Sequence, residues 1–577
     1  MPQAGGEPAS YRFGRFRVDA RERRLLEDGA RVHLAPRAFD TLLRLVRSAG
    51  SVVTREELLA DVWGGSVVEE GNLSNVVWIL RRAVGETAIE TVPKTGYRFV
   101  APVVPSAGDE MPASQTVLAV LPFRTLAGSE PEPALEQGLA DLLITRLSTV
   151  PDLVVRPLRS VLQFANEEDP VAAGRAVGAG AVVDASLRTT PGQVRVNVRL
   201  LRVADGLSLW AESLVVQRAE LLDLEDQLAR SLARALAPRL SAGRRARLNL
   251  SATSHPQALE LYLHGRYNWQ RREPSALARA LEYFSRAVEL DPRFALAWAG
   301  IADVHGVRSM VCDARPADCF DPARSAIAHA LEIDPELAEA HGAAGMVSFW
   351  HEWNWESAED SLRRALESSP SLLSAHLFLA HLRSNTGRHA EALSGIEFTC
   401  TLDPYSALPQ TLRGIFLVHA RRFTEALARF DETLAAEPDF WVARLNRGKL
   451  LLFLGRLDDA AADLELCEQR NPMSAQATSM LVAVAVRRGD RAAARNRLQA
   501  LEARARERWV PPTDLVIARL ACGVDGALDG LDLAYAERDP RLSFLAVDPK
   551  WDALAADPRV VAMRRQMRLP AGIESGS

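Results

Sequence analysis

Residues 70–100 read EGNLSNVVWILRRAVGETAIETVPKTGYRFV, and this stretch decides the reading of the N-terminal part of the chain. Leu73, Val77, Leu80 and Val84 recur at i, i+4, i+7 and i+11, which puts them on one face of a helix and marks that face as core. At about 100° per residue the opposite face carries Asn75, Trp78, Ile79 and Arg82, with Asn72 at its edge and Arg81 beside it. Asn can pair with adenine edges, Arg with guanine edges or phosphates, and apolar groups with thymine methyls. The plainer alternative is an ordinary polar outer face. An outward Trp78 weighs against it, because large exposed aromatics usually have a partner. A hairpin follows, with Lys94 at its tip and Thr95-Gly96-Tyr97-Arg98-Phe99 on its return. A helix and a basic-tipped hairpin can enter a DNA major groove and the adjacent minor groove. The candidate DNA contacts are therefore Asn72, Asn75, Trp78, Ile79, Arg81, Arg82, Lys94, Thr95 and Arg98. Lys94 and Arg98 suit phosphate or a narrow minor groove, and Gly96 is expected to supply a positive φ in the turn.

The flanking sequence agrees. Pro36 opens a pattern of Phe39, Leu42, Leu43 and Val46 that closes at Gly50, a helix with a glycine stop. Thr54-Arg55-Glu56-Glu57 is a capping box that starts a second helix with Leu58, Leu59 and Val62 inward. Residues 11–34 alternate weakly as short strands, with a turn expected at Asp28-Gly29. Taken together, F-G-x-F-x-V from Phe13, L-x-P-x-x-F-x-x-L-x-x-L from Leu34, R-E-E-L-L-x-x-V-W from Arg55 and T-V-P-K-x-G-Y-R-F from Thr91 resemble the winged-helix effector domain of OmpR/PhoB-type transcription factors. The resemblance implies that the third helix enters the major groove and the wing the minor groove. It also implies that the loop from Gly64 to Glu70 faces RNA polymerase. Trp78 and Ile79 stand where many such proteins carry basic or polar residues, so the operator sequence does not carry over.

Composition bounds the remainder. The chain has 577 residues and a formal charge of −5, enough length for three or more domains. Residues 1–105 hold 15 Lys+Arg against 13 Asp+Glu, so a mildly positive reader is joined to an acidic body. Five scattered cysteines (Cys312, Cys319, Cys400, Cys467, Cys522) lack metal spacing, and their odd number argues for a reducing compartment. No secretory signal pattern opens the chain, and no apolar run reaches the roughly 18–20 residues that cross a bilayer. Residues 101–115 (APVVPSAGDEMPASQ) form a Pro/Ala/Ser-rich linker, in contrast to the CadC-like type of regulator, which has a membrane helix at this place. A cytoplasmic protein is expected.

Residues 116–241 alternate strand and helix patterns. An apolar run at Val117–Phe123 precedes a helix at Ala134–Leu147. Strands follow at Leu153–Val155, Ala181–Leu187, Val194–Val203 and Trp210–Val216, then a long helix from Leu221. The order implies an α/β sandwich. A-V-L-P-F from Ala119, G-L-A-D-x-L-I-T-R-L-S from Gly138, V-x-x-S-L-R within Val182–Arg188, V-R-V-x-V-R-L from Val194 and D-G-L-S-L-W from Asp205 resemble the TolB N-terminal/FlgO-like domain. That resemblance implies an interaction or sensing role and brings no catalytic residue.

Beyond residue 255 the chain is periodic. Pro335, Pro370, Pro404, Pro438 and Pro472 are separated by 35, 34, 34 and 34 residues, and Pro292 lies 43 before the first. A 34-residue helical period signals tetratricopeptide repeats. Gly414, Ala426, Phe430 and Pro438 fill the small, small, aromatic and proline slots, and Gly448, Ala460, Leu464 and Pro472 repeat them. About seven repeats are expected over 255–508, with an insertion near Ser309–Asp318 and a degenerate helical cap and tail over 509–577.

Catalytic patterns are weak. His351-Glu352-Trp353-Asn354-Trp355 begins like a zinc-protease helix but lacks the second histidine. Gly174–Gly180 lacks the Gly-Lys-Ser/Thr of a phosphate loop and reads as a helix-to-strand turn. Trp350, Trp353 and Trp355 read as helix packing before they read as a ligand groove. No catalytic residue, metal or cofactor is expected. The sequence thus implies a winged helix over 1–104, a linker over 105–115, an α/β domain over 116–241 and an all-α solenoid. It describes a non-enzymatic regulator that binds duplex DNA and a protein or peptide in the repeat groove, with no membrane contact and an open oligomeric state. Two alternatives stay open: a repeat scaffold tethered to DNA, and a small-molecule sensor that uses the α/β domain.

Overall fold

A computed structural model describes residues 10–13, 16–19, 24–27, 30–32, 34, 36–63, 70–85, 88–93, 95–101, 104–106, 116–126, 129–150, 153–165, 167–190, 192–217, 221–236, 253–271, 273–472 and 474–570. The Asp28-Gly29 turn lies outside them. The chain divides into two compact units, Met1–Gln115 and Thr116–Ser577.

In the first unit, β1 (Ser10–Phe13), β2 (Phe16–Asp19), β3 (Arg24–Glu27) and β4 (Ala30–Val32) form an antiparallel meander. Three helices follow, α1 (Pro36–Arg47), α2 (Arg55–Trp63) and α3 (Glu70–Val84), with β5 (Val52–Thr54) between the first two. The wing strands β6 (Ile89–Val92) and β7 (Gly96–Phe99) pair antiparallel, and β7 also pairs β5. Gly50 adopts φ +82° at the end of α1, the left-handed geometry that a glycine stop supplies. Phe39, Leu42, Val46, Leu58, Leu73, Val77, Leu80 and Phe99 share one core, and Phe13 meets Phe99 edge-on at 4.8 Å. The linker reading is corrected at one place. Val104–Ser106 form β8, which pairs with β1 and extends the N-terminal sheet at one edge.

The second unit opens with a mixed sheet in the order β11-β9-β12-β13-β14: Leu153–Val155, Thr116–Val120, Ala181–Thr190, Gln193–Arg202 and Ser208–Gln217, with β10 (Arg124–Thr125) beside β12. β9, β11 and β12 run parallel, while β12, β13 and β14 form an antiparallel meander. Helices α4 (Pro133–Leu147), α5 (Leu158–Leu162), α6 (Pro170–Ala176) and α7 (Leu221–Leu236) complete this layer. Gly178 takes φ +64° between α6 and β12, a helix-to-strand turn.

Helix pairs then follow one another from Pro256–Arg271 with Pro274–Leu290 to Ala475–Arg487 with Arg491–Glu507, seven pairs in all among the described residues. The small-residue slots let paired helices touch. A Cβ on Gly414 would lie 2.5 Å from the Phe430 ring, and one on Gly448 2.9 Å from Leu464. The long 43-residue interval is spent in helix: Ala295–Val311 and Pro316–Ile333 are 17 and 18 residues long, against 13 and 14 in the pair Ala407–His419 and Phe423–Ala436.

The α/β layer and the repeats share one hydrophobic core, from Leu118 on β9 to Leu382 in the fourth helix pair. Arg266 pairs with buried Asp141 at 2.5 Å, Tyr405 donates to Ala176 O at 2.8 Å, and a Cβ on Gly138 would strike Leu263 at 2.7 Å. The separation of 116–241 from 255–508 is therefore a boundary in sequence pattern, not in packing.

The tail differs most from expectation. Residues 539–569 do not simply close the end of the stack. They run along the first helices of successive pairs. On first helices, Asn385 donates to Ser543 O at 3.0 Å and Lys449 meets Asp548 at 3.1 Å; beside them, Arg541 pairs with Asp313, just past Ala295–Val311, at 2.5 Å, and Trp355, which opens a second helix, donates to Met567 O at 2.7 Å. A sequence signal was available. Asp539-Pro540-Arg541, Asp548-Pro549-Lys550 and Asp557-Pro558-Arg559 recur every nine residues, and each aspartate accepts from the backbone N–H two residues on.

Candidate nucleic-acid interface

The capping box at the start of α2 forms in both directions. Glu57 N donates to Thr54 Oγ1 at 3.1 Å, and Thr54 N donates to Glu57 Oε2 at 2.8 Å. These bonds hold the Glu57 carboxyl below the usual carboxylate range. This fixes the start of α2; both α2 and α3 pack against α1.

Helix α3 is two-faced. Leu73, Val77, Leu80 and Val84 are buried, while Trp78 is 55% exposed and Ile79 37% exposed. The Arg82 guanidinium lies over the Trp78 ring, 5.1 Å from its centroid, which fixes its direction and covers part of the indole. Arg81 turns the other way. Its Nε and Nη2 donate to Ile89 O at 3.0 and 2.8 Å, and Nη2 donates to Thr91 Oγ1 at 2.7 Å, so it ties α3 to the wing. The side chains of Asn72 and Asn75 and the whole of Lys94 lie outside the described residues.

On the wing, Thr95 is exposed, its N–H donates to Val92 O at 3.1 Å, and its carbonyl accepts from Arg55 N at 3.1 Å. Arg98 is half-buried and reaches Glu90 at 3.3 Å. Gly96 is needed for a different reason from the one expected. Its φ is not positive. A Cβ there would sit 2.0 Å from Val53 O, because Gly96 lies opposite Thr54 where β7 pairs with β5. Ile79, Trp78 and Arg82 thus share one open face, and Thr95 and Arg98 belong to the wing that Arg81 fastens to it.

The other motifs are structural. His351 stacks on Phe320 at 4.6 Å, and Trp350 and Trp353 are buried against neighbouring aromatics. No group of His, Cys, Asp and Glu among the described residues could hold a metal. No helix among them is long and apolar enough to cross a membrane.

Comparison with known proteins agrees with this geometry. The family described as "Transcriptional regulatory protein, C terminal" matches residues 29–99, and the family described as "Tetratricopeptide repeat" matches residues 413–474. The chain is similar to the transcriptional regulator HilA of Salmonella typhimurium, 24% identical over 66% of this chain and 69% of that protein. It is similar to the transcriptional regulatory protein CutR of Streptomyces coelicolor, 42% identical over 16% of this chain and 43% of that one. A putative adenylate cyclase of Rhizobium meliloti is 25% identical over 33% of each chain. The N-terminal unit is an OmpR/PhoB-type DNA-binding domain. The whole chain is a DNA-binding transcriptional regulator that carries a tetratricopeptide protein-interaction region.

Proposed function

We propose that this regulator reads its operator with α3 in the major groove and the wing in the adjacent minor groove. The supporting observation is the open face of α3, where Trp78 and Ile79 stand exposed and Arg82 is oriented over the indole. Trp78 and Ile79 make apolar contact with base edges, and Arg82 donates to guanine or phosphate. Asn72 and Asn75 read adenine edges. Lys94, Thr95 and Arg98 contact the sugar-phosphate backbone. Arg81 acts as a positioning residue, because its donors are spent on the wing. RNA polymerase is assigned to the segment 64–70, of which 64–69 lie outside the described residues. The protein works in the cytoplasm and is not an enzyme. Since residues 539–569 occupy the first-helix face, a protein partner meets the repeats through their second helices and edges.

The test is Arg82→Ala in the full chain. A guanine contact costs about 1–3 kcal/mol on the preferred operator and little on random DNA. A phosphate contact weakens both alike. Unchanged affinity for both DNAs removes Arg82 from the interface.

A second reading, ligand sensing by the α/β layer, is supported by a cavity of about 480 Å³ lined by Arg124, Thr125, Leu126, Asp184, Ser186, Asn197 and Arg199. Buried Asp184 holds Arg124 at 2.8 Å and Arg199 at 2.6 Å. A melting shift with inorganic phosphate that Arg199→Ala abolishes would support it.

A further inference from the structure

Strand β14 is the outer edge of the mixed sheet, and no strand among the described residues pairs with its free side. Natural sheets blunt such edges with lysine, proline or bulges, because a row of unpaired N–H and C=O groups recruits another strand. β14 does little of this. Its sequence, SLWAESLVVQ, has no lysine or proline and one charge, Glu212. The one irregularity, where Leu200 faces Trp210 and Leu201 faces Ser208, sits at its start and leaves Trp210–Gln217 regular. Its apolar residues are under-buried on both sides. Leu209 and Val215 are 48% and 51% exposed, while Trp210 and Leu214 remain half-buried beside the core.

We propose that this edge pairs with the same strand of a second copy, antiparallel about a twofold axis at Ser213. The strand's own sequence selects the register. Directly opposite residues must point to the same face, so only pairings centred on a residue are allowed. Centring on Glu212 sets two carboxylates face to face, which is unfavourable. Centring on Leu214 shortens the ladder. Centring on Ser213 sets Ala211 opposite Val215, Trp210 opposite Val216 and Glu212 opposite Leu214. It joins the two sheets with no like charges opposed and brings cover to the half-buried Trp210. A dimer of this kind carries two DNA readers, which matches recognition of two half-sites by paired helix-turn-helix modules. The inference is independent of the residues assigned to DNA contact.

Light scattering behind size exclusion tests it on the full chain. Wild type is expected at twice the 63.1 kDa chain mass at micromolar concentration. Ala211 and Val215 are both exposed, so charge changes there leave the fold intact, which matched melting curves verify. The double variant Ala211→Lys/Val215→Lys sets lysine against lysine twice and is expected to elute as monomer. The double variant Ala211→Glu/Val215→Lys sets opposite charges across the same positions and is expected to dimerise. A monomeric wild type overturns the proposal, as does a dimer that persists in the Lys/Lys variant. A monomeric Glu/Lys variant overturns the Ser213-centred register.

Discussion

The two units handle an amphipathic helix in opposite ways. In the N-terminal unit α3 buries one face and leaves Trp78, Ile79 and Arg82 outward. In the second unit the first helices of successive pairs also present a continuous face, but the chain fills it with its own residues 539–569. Trp551, Leu542, Leu545 and Val560 are fully buried there. The contrast shows that a face with recognition potential has to be found by what remains uncovered. A repeat count alone locates a groove but does not say that it is free. Burial on this scale, at roughly 1.5–3 kcal/mol for each large apolar side chain, makes the tail a permanent part of the body and not a loosely held ligand.

The largest expected effect attacks that permanence. Trp551→Ala opens a cavity in the packed tail and should cost the second unit about 3–5 kcal/mol in denaturant unfolding. Operator binding per folded molecule should stay unchanged. If the unfolding midpoint does not move, the tail is peripheral and the contrast between an open and a filled face collapses.

The next test places one substitution in each unit. Gly96→Ala forces a Cβ to within 2.0 Å of a backbone oxygen of β5, which cannot yield without bending the wing. Gly414→Ala meets the buried Phe430 ring at 2.5 Å, a side chain and not backbone, and the alanine's helix preference offsets part of the repacking cost. Gly96→Ala should cost about 3 kcal/mol and weaken DNA binding, and Gly414→Ala about 1 kcal/mol or less. Equal costs would show that the two close approaches are of one kind.

The last effect is absent at neutral pH and appears only on acidification. His381 is buried among Phe349, Phe416 and Phe544, and burial lowers its pKa from 6.5 to about 3. The unfolded chain takes up a proton below pH 6.5, while the folded chain does so only near pH 3, so this group removes stability as pH falls across that window. His381→Phe should flatten the acid loss of the second unit by about 1.4 kcal/mol per pH unit. Identical pH slopes for the variant and wild type would show that the ring is hydrated.

The parts legible in the sequence are those decided by near neighbours along the chain. The i, i+4, i+7 spacing of Leu73, Val77 and Leu80 identified α3 and its outward face, and the Thr54–Glu57 spacing identified the box that starts α2. The prolines at 34-residue intervals identified the helix pairs. Contacts between residues far apart were not legible. The positive φ expected of Gly96 was wrong because the constraint comes from Val53, 43 positions earlier in the chain. Helical periodicity places Arg81 beside the DNA-facing residues because it cannot see the Ile89 carbonyl of the wing. The nine-residue Asp-Pro-basic repeat of the tail is present in the sequence, but it matches neither the helical period of 3.6 nor the strand period of 2.

The sequence by itself determined the winged-helix order, the α/β pattern, the helical repeats and the side of α3 that faces out, because each follows from local periodicity, capping and turn chemistry. Only the tertiary structure decided that β8 extends the first sheet and that the α/β layer and the repeats share one core. It alone laid the tail along the first helices and left β14 as an open edge. These depend on which apolar surfaces meet across hundreds of residues, and burial of apolar area is non-directional. A pattern can therefore announce that a face will be covered, while only the packed chain decides what covers it.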